Sequence, residues 1–321
     1  MLEIIDISLA TSGPELVSAA ADQGFLFIKG HGYTPSEVEE LFRLSEECFN
    51  LPHDTKMKYS LSDTENVGYT SIYAETLDTK NDDVGSAKGD PKETFNFGQL
   101  DFLTGIPNQR LPDIIGKDKS NLNILAYHIK KMYDISQKIL ELLAIGLQLE
   151  DPHWLKERFK QDMVSGSALR LLKYPTPDEL DPTTEVRAGA HTDYGALTLL
   201  FQRQPGLEIF QKNQWVKVPS LESSNPEEAS PMVVNIGDQL SYWTNKYLAS
   251  TMHRVRFPED AESQTNARYS IVFFCHPADN TVLEPLQSPL ISAEKSEEKR
   301  LTAKQHLRRK LAAAYHWDGT S

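Results

Sequence analysis

From about residue 165 onward the chain breaks into short apolar runs, and this rhythm limits the fold more than any other feature. The runs 168–174, 197–201, 207–210, 215–218, 232–236 and 269–274 are separated by clusters of Gly, Pro, Asn and Asp. Segments this short do not reach ordinary helix length, and turn residues at such intervals suit an antiparallel sandwich or barrel. The first half reads differently. Residues 2–8 alternate as a strand, 14–23 form a short helix ending at Gly24, and 25–28 is a buried strand between Gly24 and Gly30. A helix starts at Pro35 and repeats Val38, Leu41, Phe42, Leu44, Cys48 and Phe49 at helical spacing. The longest helical signal runs over 120–149, where Ile124, Leu125, Ile129, Met132, Ile139 and Leu143 keep one face apolar. Residues 60–92 are polar and read as a long loop with room for one short strand, a length that suits a lid. A helical stretch over 296–315 closes the chain, and no internal repeat is visible.

Composition narrows the class. Of 321 residues, 39% are hydrophobic and 25% charged, which supplies a core and excludes disordered, collagen-like and coiled-coil chains. The net charge of −13 repels phosphate backbones, so nucleic acid is not the expected partner. No apolar run approaches the roughly 18 residues that span a bilayer, and the first six residues show no signal-peptide pattern. Cys48 and Cys275 are the only cysteines and read as reduced structural thiols. The expectation is a soluble protein of the cytoplasm, small enough to enter the nucleus as well.

His191-Thr192-Asp193 carries the strongest chemical signal, with His253 sixty residues beyond Asp193. On a strand, residues two apart share a face, so His191 and Asp193 reach one ion and a neighbouring strand supplies His253. Two neutral imidazoles and one carboxylate leave three octahedral positions open, the arrangement of non-haem Fe(II) oxygenases. An H-x-D alone is commonplace, and context is what lifts this one. The other seven histidines (His31, His53, His128, His153, His276, His306 and His316) have no partner at ligand spacing and read as structural. Arg268-Tyr269-Ser270 follows fifteen residues after His253 and opens an apolar strand. A guanidinium and a hydroxyl on one strand face are suited to grip a carboxylate, and a buried Arg needs an anionic partner.

Taken together, these residues resemble the 2-oxoglutarate- and Fe(II)-dependent oxygenases, specifically the isopenicillin-N-synthase-like branch, over nearly the whole chain. Ile5-Asp6-Ile7-Ser8 and the stretch from Gly24-Phe25-Leu26-Phe27-Ile28 to Gly30-His31-Gly32 are similar to that family's N-terminal region. Lys92-Glu93-Thr94-Phe95-Asn96-Phe97-Gly98 resembles its K-E-x-F-x-x-G segment, and Leu169-Arg170-Leu171-Leu172-Lys173-Tyr174-Pro175 its L-R-x-x-x-Y-P strand. Gly189-Ala190-His191-Thr192-Asp193-Tyr194-Gly195-Ala196-Leu197-Thr198-Leu199-Leu200 resembles the H-T-D-x-G-x-L-T-L-L core. Val234-Asn235-Ile236-Gly237-Asp238 and His253-Arg254-Val255 follow in register. Two positions depart: Leu172 stands where relatives often carry Asn, and Lys173 precedes the tyrosine.

The resemblance implies an α+β fold, a distorted double-stranded β-helix (jelly-roll) core flanked by helices. It divides the chain into an N-terminal substrate-shaping region, 1–120, and a core of helix, jelly roll and C-terminal helix, 121–321. It implies His191, Asp193 and His253 as Fe(II) ligands, and Arg268, Ser270 and Tyr174 as the grip on 2-oxoglutarate. With O₂, such an enzyme oxidises a small organic metabolite, by hydroxylation or desaturation, and releases succinate and CO₂. Isopenicillin N synthase shares the fold and the Arg-x-Ser but uses no 2-oxoglutarate, so an oxidase of that kind is the second reading. A non-catalytic jelly-roll binding protein is the third, disfavoured because the triad and the Arg-x-Ser are both intact. Tyr69, Tyr73, Phe95, Phe201, Phe274 and Tyr315 are candidate substrate-pocket aromatics, each read first as core packing. Asn81-Asp82-Asp83 and 294–300 read as solvated surface, and nothing in the pattern fixes an oligomeric state.

Overall fold

A computed structural model of the chain describes residues 1–61, 66–77, 89–176, 186–257, 266–292 and 300–315. Its strands, in chain order, are β1 (Ile4–Asp6), β2 (Phe25–Lys29), β3 (Gly68–Thr70), β4 (Glu93–Phe97), β5 (Ala168–Tyr174), β6 (Val186–His191), β7 (Leu197–Gln202), β8 (Leu207–Gln211), β9 (Gln214–Lys217), β10 (Met232–Ile236), β11 (His253–Arg256) and β12 (Arg268–Cys275). The larger sheet runs β1-β2-β10-β7-β12-β5-β4-β3 and the smaller β6-β11-β8-β9. Only β1 and β2 pair in parallel among these strands. The two sheets form the sandwich that the short apolar runs suit, in the α+β jelly-roll form that the family resemblance implies.

Strand alternation sorts the larger sheet into two working faces. On β5 and β12, Leu169, Leu171, Ile271, Phe273 and Cys275 join the apolar cluster on the helical side. The residues between them, Leu172, Tyr174 and Val272, join a second cluster between the sheets with Leu207, Ile209 and Val255 of the smaller sheet. The helices are α1 (Gly13–Asp22), α2 (Pro35–Phe49), α3 (His53–Met57), α4 (Asp113–Gly116), α5 (Lys119–Gly146), α6 (Asp238–Trp243) and α7 (Ala303–Tyr315), with a 3-10 turn over Lys156–Phe159. Helix α5 packs on the outer face, whereas Leu307 and Leu311 of α7 reach the space between the sheets. Helix α2 starts on a complete capping box, with Thr34 and Glu37 satisfying each other's backbone N–H and Pro35 in the first turn. Asp118 caps α5 by accepting from the N–H groups of Ser120 and Asn121. The α1–α5 contact needs glycine on both sides: a Cβ on Gly13 would lie 2.6 Å from the Leu142 carbonyl, and one on Gly146 2.2 Å from that of Gly13.

Several elements depart from the sequence expectation for local reasons. The first strand stops at Asp6 rather than residue 8, because the Asp6 carboxylate accepts from the Ser8 N–H at 3.0 Å and turns the chain. The closing helix begins at Ala303 rather than 296, and 293–299 lies outside the described residues. The long polar loop does contain one short strand, β3, while Asn81-Asp82-Asp83 and His316 also fall outside the described residues. Strands β4 and β6 and the short helices α3, α4 and α6 carry too little local periodicity to be read in advance. Strands from both sides of residue 120 share the larger sheet.

Phe273 sits at the middle of this core, fully buried on β12 between β5 and β7. Phe273→Ala is expected to cost about 3–5 kcal/mol in chemical unfolding, against under about 1 kcal/mol for Phe210→Ala at a half-exposed site. His128 on α5 stacks on Tyr33 with ring centroids 5.6 Å apart, and burial pushes its pKa down to about 4. Its unfolded value is near 6.5, so the unfolded chain takes up the proton first. Stability from this residue is complete above about pH 6.5 and is lost as the pH falls toward 4, with a slope of at most about 1.4 kcal/mol per pH unit. Urea midpoints between pH 7 and 4 should fall less steeply in His128→Phe than in the wild type.

Candidate metal and cosubstrate site

The candidate site is built where β6 meets β11. Their register sets His253 directly opposite His191, and the rings lie 4.2 Å apart. Each imidazole is held by its Nδ1, which donates to a carbonyl: Gly189 O at 2.8 Å for His191, Thr251 O at 3.1 Å for His253. A carbonyl only accepts, so the proton sits on Nδ1 and each Nε2 presents a bare lone pair. Both lone pairs face Asp193 Oδ1, at 3.8 Å from His191 and 3.6 Å from His253.

Asp193 reaches this point by a different route from the one its spacing suggests. Strand β6 ends at His191, so the shared strand face is not what aligns the pair. The 193–196 turn is instead fastened to the segment after β10. The Asp238 N–H donates to Asp193 O at 2.8 Å and the Gln239 N–H to Gly195 O at 3.0 Å. That approach requires Gly237, where a Cβ would lie 2.3 Å from Gly195 O. Asn235 Nδ2 then donates to Asp193 Oδ2 at 2.7 Å, turning the other oxygen toward the histidines.

The three ligand atoms lie within 4.8 Å of one another. Burial, then the neighbouring His253, push His191 down to about 3, so it stays neutral at physiological pH. Burial alone would raise Asp193, but the two imidazoles hold it below its ordinary value. Two neutral nitrogens and a carboxylate oxygen converge with no donor between them, and a divalent cation satisfies all three.

The interior behind this set is a cavity of about 100 Å³ between the sheets. At one end Arg268 is buried beside Ser270, and among the described residues all its partners are neutral. Its Nη1 donates to Ser270 Oγ at 2.7 Å, Nη2 to Gln202 Oε1 at 3.0 Å and Nε to the carbonyls of Gln204 and Pro205. The Tyr174 ring lies 5.0 Å from its guanidinium carbon. A fully buried cation without a carboxylate is unstable unless a ligand brings one. Ser270 accepts from the guanidinium, so its own O–H is left to donate. Leu172, Leu200, Leu207 and Val255 give this end apolar walls.

Comparison with known proteins agrees with this geometry. The model of the 2OG-Fe(II) oxygenase superfamily matches residues 166–277, and that of the non-haem dioxygenase N-terminal region matches 2–112. The 2-oxoglutarate-Fe(II) type oxidoreductase ppzD of Metarhizium majus is 32% identical over 324 residues, 94% of this chain and 89% of that one. The chain belongs to the 2-oxoglutarate- and Fe(II)-dependent oxygenases, in the isopenicillin-N-synthase-like superfamily. A full-length Neurospora crassa protein in complex with alpha-KG and thymine superposes with a TM-score of 0.79 at 27% identity, covering 97% of this chain and 96% of that one. A 2OG-Fe(II) oxygenase family protein from Caulobacter crescentus gives 0.77 at 26% identity, covering 97% and 98%. The protein is thus an oxidoreductase that uses Fe(II), 2-oxoglutarate and O₂.

Within the oxygenase, the two departures have different weight. Leu172 faces the cavity opposite Ser270 on β12. Lys173 faces the other way, 3.9 Å from Glu93, and takes no part in the pocket. Of the candidate aromatics, Phe274 lines the cavity, whereas Tyr69, Phe95 and Phe201 belong to the helical-side core. His276, read as structural, lines the cavity too, as do Arg170, Lys92, Glu75 and Tyr194, which spacing did not single out. Cys48 and Cys275 are buried and unbonded, and burial pushes both thiols up to about 12.

Asn235 offers a direct test of how the carboxylate is aimed. Asn235→Ala should weaken Fe(II) or Mn(II) binding about 10- to 100-fold in a calorimetric titration, while leaving the fold intact.

Proposed function

We propose that His191, Asp193 and His253 hold the Fe(II), and that Arg268, Ser270 and Tyr174 hold the distal carboxylate of 2-oxoglutarate. The protein oxidises a small organic molecule, as its relatives do. The observation that carries the residue assignment is the convergence of three lone-pair donors beside a buried arginine that has no carboxylate partner among the described residues. When bound, the iron and cosubstrate supply the oxidising chemistry, with 2-oxoglutarate consumed to succinate and CO₂. The chain's own part is positional. The carbonyls of Gly189 and Thr251 and the Asn235 amide orient the ligands, while the apolar walls around Leu172, Leu207 and Val255 keep water from the reacting atoms.

We also propose the division of the chain at residue 120 into two regions. Residues 121–321 supply the ligands and the arginine floor, whereas Asn66, Glu75 and Lys92 bring residues 1–120 to the opposite end of the cavity, which supports a substrate-shaping role for that region. The thymine in the Neurospora structure supports a substrate of that size. We also read the protein as cytoplasmic with access to the nucleus and as having no nucleic-acid partner. The unbonded cysteines and the net charge of −13 support this. Among the described residues no helix is long and apolar enough to cross a membrane.

Anaerobic titration of the Fe(II)-loaded protein with 2-oxoglutarate tests the assignment. A weak visible charge-transfer band should appear in the wild type, vanish in His191→Ala, and require at least tenfold more cosubstrate in Arg268→Gln. Iron binding without a band would instead favour an oxidase that does not use 2-oxoglutarate.

A further inference from the structure

The cavity contains a second buried arginine whose surroundings are the reverse of the first. On β12 the cavity-facing series is Arg268, Ser270, Val272, Phe274, paired with Tyr174, Leu172 and Arg170 of β5 through the contacts Arg268–Tyr174, Ser270–Leu172 and Val272–Arg170. Four residues of strand therefore separate the two arginines, about 13 Å along the sheet. Among the described residues Arg268 has only neutral partners. Arg170 faces the Glu75 carboxylate, with Nη1 3.2 Å and 3.3 Å from its two oxygens. Glu75 also receives Lys92 at 3.1 Å, and Lys92 reaches Asp90 at 2.6 Å. Two cations and two anions make this buried cluster electrically neutral.

Hydrogen bonding orders the cluster further. Arg170 Nε donates to Asn96 Oδ1 at 2.5 Å, which fixes the orientation of the Asn96 amide. The Asn96 NH₂ donates in turn to Asn66 Oδ1 at 2.8 Å. Asn66 is thereby held with its own NH₂ directed away from that bond, at a position that lines the cavity. Among the described residues Arg170 Nη2 has one long contact, 3.5 Å to the Tyr315 hydroxyl at the end of α7. This end of the cavity therefore offers hydrogen-bond donors and no spare positive charge. Phe274, with the Arg170 guanidinium 5.3 Å from its ring, and Leu307 and Leu311 of α7 supply apolar faces beside those donors.

We infer that this end selects an uncharged, flat molecule that presents carbonyl oxygens to Arg170 and Asn66, such as a cyclic imide or lactam. The inference rests on the proposed placement of the cosubstrate at Arg268. A carbonyl supplies the acceptor that the donors lack and leaves the ion cluster neutral. A carboxylate would add an unbalanced charge beside the buried Glu75 and Asp90, a cost that the Arg268 end does not impose. Apolar molecules leave both donors unpaired, which costs about as much as a lost buried hydrogen bond.

Calorimetry on the protein loaded with Mn(II) and 2-oxoglutarate tests this, with thymine and uracil as uncharged probes and benzoate as an anion of similar size. The uncharged probes should bind at least about tenfold tighter than benzoate. Asn66→Asp, which replaces a donor with a charged acceptor at a less buried position, should remove most of that preference. Glu75→Gln should narrow it by admitting the anion. Benzoate binding as tightly as the imides, failure of both imides to bind, or unchanged ranking in Asn66→Asp would each overturn the inference. Cosubstrate binding is titrated separately, and the same panel is run on metal-free protein. A failure at Arg268 is then distinguishable from a failure at Arg170.

Discussion

The register of β12 against β5 and β7 is the constraint on which the site depends. It places Arg268, Ser270, Val272 and Phe274 between the sheets and Tyr269, Ile271, Phe273 and Cys275 toward the helices. A slip of one residue would exchange the two sets, driving a guanidinium into the α5 side and the Phe273 ring into the cavity between the sheets. Either misplacement costs several kcal/mol, so packing on the outer face and chemistry on the inner face enforce one alignment. Stability and function are therefore not separable along this strand. The apolar residues that hold the helices fix the phase in which the polar ones meet the ligand.

Much of this was legible in the sequence, for physical reasons that differ by element. Strands β5, β7, β10 and β12 are buried on both faces and appear as continuous apolar runs, while α5 is long enough for its period to emerge from 28 residues. Strand β6 could not be read that way. Its Val-Arg-Ala-Gly-Ala-His sequence contains little apolar bulk, and it was the histidine motif that marked it. The same motif picks out residues that the fold does bring together, but the spacing argument for it is incomplete. Asp193 lies beyond the strand end and is aimed by Gly237, Asp238 and Asn235, contacts more than forty residues away that spacing does not encode. Arg170 was visible as a motif residue, but its partner Glu75 is 95 positions earlier, in a stretch without local pattern.

The two arginines show how partners, rather than residue type, decide what a buried charge does. In a low-dielectric interior each guanidinium must be neutralised, and the chain itself provides the counter-charge for one of them. Arg170 is therefore part of the wall, rigid and satisfied except at its outer edge. Among the described residues Arg268 is held by Ser270, Gln202 and two backbone carbonyls, all neutral, and in the proposed function its counter-charge comes with the cosubstrate. The same residue type thus gives a cavity with an anion-seeking end and a neutral end, a polarity that orients two different molecules without moving parts.

Asp90 ties these ends to the proposed metal ligands. One of its oxygens accepts from the Gly189 N–H at 3.0 Å, and the other accepts from Lys92 and from the Leu77 N–H at 3.2 Å. Gly189 is the residue whose carbonyl receives the His191 Nδ1 proton. A continuous chain of hydrogen bonds therefore runs from Arg170 through Glu75, Lys92 and Asp90 to the backbone that sets the tautomer of His191. Buried polar networks of this kind are costly when any member is left unsatisfied. A molecule that disturbed the neutral cluster would strain the orientation of His191 as well, so the proposed substrate wall and the proposed metal ligand are held by one network.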